Sequence, residues 1–490
     1  MRLFVFGIGG TGGRLMEALT FLLAAGVRLL DSTGQPVELI PILIDTDKDN
    51  KDTLDGLSAL KLYSDLHAMR DPADKDGFFS TKMEPLCSLA TETNTEVSRT
   101  FRLNYKGVEN QTFREFIGFN QIADFGTKRL LEALYSDDNL DEELTGGFLG
   151  NPNVGAVVLS GFKRSADFSL FTTAFSEGDR VFNVGSLFGG TGAAGLPWLL
   201  KELRKEKAGV GMASAIRRAA IGALMVLPYF KVQEDPKGKS RIDSSIFITK
   251  TKAALSYYYR HISGFNAVYY IADEALKAYE NHESGQEQSN DAHLVELLGA
   301  LAILEFARLP NNQLHPEGEP KYFEYAIDAA DELLSFKTLG KSSSEMIAKP
   351  LTQLQMMALL DGNYFRHATG FDWAKKHGFT GTFFDSANYK DHVSTFLSTH
   401  YLSWIRQLGT NRRGFAPFRE VTSLDDMSKM RVDMNANKPS LFKPRLSSER
   451  FTIAANLQSE HLGGGGTMAR FLKLWWDVTN NVYDASYKKL

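Results

Sequence analysis

The sequence is poor in several things, and each shortage closes off a class of protein. Cysteine occurs once in 490 residues, at Cys87, so no internal disulfide can form and the chain suits a reducing compartment. That cysteine reads as a small buried hydrophobe. Charge of one sign is not in excess: 55 Lys and Arg against 59 Asp and Glu leave a net charge of -4. Such a balance recommends neither nucleic acid nor an anionic membrane as a partner, and any anion site has to be local. No apolar run approaches the roughly eighteen residues that a membrane helix needs; Ala219 to Leu227 is a core strand at most. The chain opens directly in Leu3-Phe4-Val5-Phe6 without a basic leader, which predicts a soluble cytoplasmic protein. His392 and His400 have no carboxylate partner at metal spacing, so no transition-metal site is expected. Internal repeats and coiled-coil heptads are absent.

What is present is an alternation of strands and helices in a chain long enough for two or three domains, or for one large nucleotide-binding unit with insertions. Leu3 to Phe6 is followed by Gly7-Ile8-Gly9-Gly10-Thr11-Gly12-Gly13. Leu15, Leu19, Leu22 and Leu23 then recur at helical spacing, and Val37 to Ile44 is a buried strand ending in Asp45-Thr46-Asp47. This is a βαβ start, whose ligand crevice lies at the carboxyl ends of the strands. Residues 51–150 turn polar, with a helical pattern near Phe113 to Leu134, and read as an insertion or cap, a solvated helical layer to which no chemistry is assigned. Val154 to Leu159 is expected to restart the sheet, Arg180 to Val184 to continue it, and Ala219 to Leu227 and Ala267 to Ile271 to extend it. Ala292 to Arg308 is apolar on nearly every face, which predicts a buried central helix. Lys321 to Ala326 is compatible with a strand; most of 330–490 reads as helices and loops, including the basic turn Arg412-Arg413 and the aromatic segment around Trp475 and Trp476. The expectation is an α/β domain over 1–310 with a mostly parallel sheet, and an α-rich (α+β) domain over 311–490.

Two glycine loops carry the chemistry. Val181 to Val184 enters Gly185-Ser186-Leu187-Phe188-Gly189-Gly190-Thr191-Gly192-Ala193-Ala194-Gly195 and leaves as the helical Trp198 to Leu203. A turn of small residues between strand and helix aims backbone N–H groups at an anion, and a phosphate cradle is the reading of this stretch. The first loop alone satisfies the dinucleotide pattern Gly7-x-Gly9-x-x-Gly12, with Asp45 or Asp47 as the ribose acid. A Rossmann NAD or FAD oxidoreductase, or a ThiF-like adenylating enzyme, is therefore an alternative, although neither accounts for the second cradle.

The stretch from Asp179-Arg180 through Gly189-Gly190-Thr191-Gly192-Ala193-Ala194-Gly195 to Pro197 resembles the tubulin/FtsZ signature loop GGGTGTG. Phe188 replaces its first glycine, Ala193 its second threonine and Ala194 its last glycine. Gly9 to Arg14 resembles the first phosphate loop of that family, with Arg14 where an amide is usual, and Ile44 to Asp47 its strand end. The resemblance implies a GTP/GDP-binding fold. Gly9, Gly10, Thr11, Gly12, Gly13 and Arg14 would hold phosphates together with Gly189, Gly190, Thr191, Gly192, Ala193 and Ala194, and Mg²⁺ would bridge phosphates and water. It further implies Pro228 and Tyr229 at the sugar, Glu234 and Arg241 in the loop after them, and Asp273, Asn290 and Asp291 at sugar and base. Guanine is the favoured base, because an aspartate accepts from both N1–H and the exocyclic amine. In this family acidic residues after the central helix reach the γ-phosphate of a neighbouring copy. Here the pattern GxxNxDxxD/E is missing, and Glu317 and Glu319 are the candidates; a solvated acidic loop is the other reading of the same residues. The resemblance thus implies self-association or filaments and a Mg²⁺-dependent GTPase. A nucleotide-sensing scaffold without turnover is the alternative within the same fold.

Overall fold

In the computed structural model the described residues are 1–91, 96–105, 107–148, 150–205, 213–233, 244–261, 263–274, 277–280, 290–314, 319–324, 333–411, 413–421, 423–434 and 446–487. The sheet has six strands, all parallel: β1 (Arg2–Ile8), β2 (Glu38–Ile44), β3 (Arg180–Ser186), β4 (Ile221–Val226), β5 (Ala267–Ile271) and β6 (Lys321–Glu324), in the spatial order β2-β1-β3-β4-β5-β6. The order reverses at β1. The chain steps from β1 out to β2 on one side and returns to β3 on the other, which opens a crevice at the carboxyl ends of these strands. Beyond β2 the edge is covered by extended chain, with Leu43 N–H donating to Phe101 O at 2.7 Å and Leu39 N–H to Lys82 O at 2.9 Å.

Alternate residues of the buried strands feed two cores. Leu3, Val5, Phe182, Val184 and Leu224 face one layer with α1 (Gly9–Ala24), α2 (Lys51–Ala68) and the central helix α6 (Leu294–Arg308). Phe4, Phe6, Val181, Ala223 and Met225 face the other, with α3 (Pro152–Leu159), α4 (Gly190–Arg204) and α5 (Phe247–His261). Strands covered on both faces read as near-continuous apolar runs, which is how the sequence displays them.

The segment Val154 to Leu159, expected as a strand, is the helix α3 instead. Its β-branched run looks extended, but Pro152 stands at the first helical position, where a proline costs nothing. Gly155 then lets the helix lie against α4, a Cβ there meeting that of Ala194 at 2.9 Å. The helical pattern over Phe113 to Leu134 is broken into Phe113–Phe116 and Phe125–Leu134 by the left-handed Gly118. Cys87, expected inside, is half-buried.

The expected buried central helix is present as α6, and all but two of its fifteen residues are buried. Its last turn is capped by Arg180 of β3, whose guanidinium donates to Phe306 O at 2.7 Å, Leu309 O at 2.6 Å and Asn311 Oδ1 at 2.6 Å. Past β6 the chain is mostly helical, with α7 (Lys341–Asn363), α8 (Ser448–Ser459) and α9 (Thr467–Tyr487). This region shares the apolar core of the α1 face: Phe21 of α1 packs on Trp404 at 4.9 Å and on Phe396 at 5.5 Å. His392 and His400 lie on a π-helical stretch, Asn388–Tyr401, and His400 Nε2 is 3.1 Å from Ser58 Oγ of α2. No helix of the described residues is long and apolar enough to cross a membrane.

Candidate functional site

The two glycine loops meet. A Cβ placed on Gly9 would come within 3.3 Å of the Cβ of Thr191, and Gly9 has φ +71°, a left-handed conformation that glycine adopts without strain. Both helices that follow start without a side-chain cap: α1 begins after Ile8 and α4 after Gly189. Their first-turn N–H groups are the free donors of a helix end, and the macrodipoles add positive potential there. The space between them is a cleft of about 1020 Å³, open mouth included. Its floor comes from Gly9, Gly10, Thr11, Ser186 and Gly189 to Gly192, and one side from the acids Asp45, Asp47 and Asp52 together with Asn50.

Gly12 and Gly13 serve the cradle from below. A Cβ on Gly12 would fall 2.3 Å from the carbonyl carbon of Gly7, and one on Gly13 would fall 2.8 Å from Asp52 O. They allow α1 to close on β1 and α2, while Gly9 to Thr11 reach the cleft. Ala193 and Ala194 are likewise buried in the first turn of α4. Pro197 lies inside that helix and has no N–H to offer the carbonyl four residues back. Tyr258 of α5 supplies the missing donor, its hydroxyl reaching Ala193 O at 2.7 Å.

Arg14 lines the cleft but turns its guanidinium into the core. Nε donates to Glu296 Oε1 of α6 at 2.7 Å, one terminal nitrogen donates to Asp52 of α2, and the other to Tyr229 Oη at 2.6 Å. Tyr229 in turn donates to Glu296 at 2.9 Å. Arg14, Asp52, Tyr229 and Glu296 are all buried. Burial alone pushes the carboxyls of Asp52 and Glu296 up, and the guanidinium between them pulls them back. Burial raises Asp45 to about 6, against the opposing pull of Arg102 and of the Thr53 hydroxyl, which donates to it at 2.7 Å. Half-buried Glu17, near Asp55, Glu296 and Asp52, is pushed up to about 8 by desolvation and then by those neighbours. His293 caps α6, Nδ1 accepting from Val295 N–H at 3.1 Å, and burial with Arg14, Arg413 and Lys277 nearby lowers its ring to about 4.

The residues assigned to sugar and base are dispersed. Asn290 lines the cleft, 3.4 Å from Asp52. Asp291 is paired with Lys277 and is outside the lining. Asp273 opens on a second cavity beside β5 and β6, where Arg413 donates to it at 3.2 Å and His293 Nε2 stands 3.5 Å away. Pro228 is half-buried and does not line the cleft. Glu234, Arg241 and Glu317 lie outside the described residues. Glu319 is exposed ahead of β6 and does not line the cleft.

Sequence reasoning missed Asn50, the residue just ahead of the supposed insertion, Asp52 within it, and the turn Gly146, Gly147, Phe148 and Gly150, which closes over Gly190. A signal for the first pair existed: Asp45, Asp47, Asp49 and Asp52 crowd the end of a buried strand, where a crevice is expected. Phe188 was the substitution most at odds with a phosphate loop. Its ring lies against Phe247 at 5.0 Å, Phe230 at 5.6 Å and Tyr229 at 6.3 Å, and so forms a wall of the cleft.

Fold and crevice place the chain among α/β proteins with a parallel sheet and a ligand crevice at its switch point. No protein-family model matches the chain, and no curated protein matches it. Solved structures that match include two members of the tubulin/FtsZ family. One is CetZ2 from Haloferax volcanii in a GTPγS-bound protofilament, with TM-score 0.29 and 14% identity over 63% of this chain and 58% of that one. The other is CetZ from Methanosaeta thermophila strain DSM 6194, with TM-score 0.22 and 15% identity over 55% and 45%. The chain thus spans about half the length of the structures it matches.

Proposed function

We propose that the protein binds a nucleoside triphosphate, GTP by the resemblance of its two loops, with the phosphates held between the start of α1 and the start of α4. The observation that carries this reading is the close approach of the Gly9 and Thr191 loops: two uncapped helix N-termini converge on one cleft. A single such terminus is an anion site of modest strength, whereas two that share a cleft match a chain of phosphates. Thr191 offers a hydroxyl to a phosphate oxygen. Among the described residues no group of three His, Cys, Asp or Glu side chains is placed to hold a metal. Mg²⁺ would enter with the nucleotide and offset the charge of its phosphates, and Asp45 or Asp47, which line the cleft, would help to hold it.

Hydrolysis is the finer part of the proposal. Glu319 does not line the cleft of its own chain, and turnover of the kind the resemblance implies would use a neighbouring copy in a self-associated state. A Mg²⁺-dependent rate per molecule that rises with protein concentration and falls in Glu317→Ala and Glu319→Ala supports a GTPase of this kind. A rate that ignores both leaves a nucleotide-sensing scaffold. Denaturing the purified protein and identifying the released nucleotide by mass spectrometry tests binding itself. GTP or GDP is the expected result; ATP or ADP keeps the nucleoside-triphosphate reading and overturns the choice of guanine, and NAD or FAD, or no nucleotide and no binding on titration, overturns the whole reading.

A further inference from the structure

A phosphate grip needs donors and does not need an aromatic wall, yet one side of the cleft is apolar. Phe188, Phe230, Val232 and Phe247 line it next to the second glycine loop. Phe230 is half-buried and is held edge-on by its neighbours, at interplanar angles of 78° to Phe188, 83° to Phe247, 86° to Tyr229 and 79° to Tyr279. The Arg14 guanidinium lies 5.6 Å from its centroid. Four rings at right angles fix the Phe230 ring in place, which is what a stacking platform requires.

The acids that guanine recognition calls for are elsewhere. Asp273 is in the second cavity with Arg413, and Asp291 is paired with Lys277. Of the acidic residues that line the cleft, Asp52 is engaged by Arg14, Asp45 accepts from Thr53, and Asp47 accepts from the Asp49 N–H beside the first glycine loop. Glu280, beside Val232 at the mouth, is exposed to water, so a hydrogen bond there exchanges with solvent and discriminates weakly.

We propose that the base of the bound nucleotide stacks on Phe230, with Phe247 at its edge, and that the cleft accepts adenine and guanine alike. The proposal rests on the nucleotide reading above and assigns the base to a different part of the cleft from the one the resemblance implies. Every base has a π face, so stacking tolerates the choice of base. Strong selection comes instead from buried polar groups that the wrong ligand leaves unpaired.

The test is calorimetric titration of the full chain with GTP, ATP and inorganic triphosphate, each with Mg²⁺, for the wild type and for Phe230→Leu and Phe230→Trp. Leucine keeps apolar volume without a π face, and thermal melts verify that each variant is folded. The expected result is dissociation constants for GTP and ATP within about tenfold of each other. Both are weakened on the order of ten- to a hundredfold in Phe230→Leu and recovered in Phe230→Trp, with triphosphate binding unchanged. A preference for GTP over ATP of more than about a hundredfold, or a GTP affinity indifferent to Phe230→Leu, overturns the stacking proposal and leaves the nucleotide reading intact. Failure of the wild type to bind any of the three ligands overturns both.

Discussion

The helix that follows the first glycine loop carries an arginine into the core; the helix that follows the second carries a proline. Arg14 draws Asp52 of α2, Glu296 of α6 and Tyr229 of the loop after β4 into one buried polar network, so the first loop stands on charge. Pro197 breaks the ladder of α4, and the freed carbonyl is met by Tyr258 while Phe188 sinks into a cluster of rings, so the second loop stands on shape and apolar contact. The two loops present similar backbone to the cleft. A phosphate-binding surface therefore prescribes little about its foundation, and the two foundations respond differently to mutation and pH.

The sharpest way to break the comparison is Arg14→Met. Removing the cation strands two buried carboxylates, and equilibrium denaturation is expected to show a loss of about 3–5 kcal/mol, with part of it regained in Arg14→Met/Glu296→Leu. Phe188→Ala removes the ring that anchors the second loop. Its expected cost is about 3 kcal/mol, and the difference from wild type stays constant between pH 5 and pH 8, since no charge is involved. Tyr258→Phe leaves the Ala193 carbonyl without its donor and is expected to cost about 1 kcal/mol in the same denaturant assay.

One effect is confined to acid and is absent at neutral pH. His293 has a folded pKa of about 4, lowered by burial from its ordinary value of 6.5. The unfolded chain takes up a proton first as the pH falls, so the contribution of this histidine to stability is present above 6.5 and is lost towards pH 4. Asparagine keeps an acceptor for the Val295 N–H and does not titrate. Melting curves of His293→Asn are therefore expected to follow wild type at pH 8 and to fall less steeply between pH 6.5 and pH 4.

Much of the scaffold was legible because it depends on local pattern. Parallel strands buried on both faces must be apolar throughout, so β1 to β5 and the helix α6 announce themselves, as do the glycines that admit close backbone approach. Val154 to Leu159 was misread because six residues of apolar, partly β-branched sequence do not distinguish a buried strand from a buried helix; the proline before them and the contact with α4 did. The site was legible only at its floor. Asp52 reaches the cleft because α2 packs on α1, and Phe230 because the loop after β4 folds back against Phe188, events set by contacts between residues far apart in the chain.

By itself, then, the sequence determined the alternation of strands and helices, the two small-residue turns and the buried central helix, all consequences of steric and hydrophobic rules acting over a few residues. Only the tertiary structure decided that Arg14 points inward to Asp52 and Glu296, that Asp273 pairs with Arg413 and Asp291 with Lys277 outside the lining of the cleft, and that Phe188 builds a wall. The physical reason is that a side chain's role follows from the partners that bury or neutralise it, and those partners come from other elements of the fold.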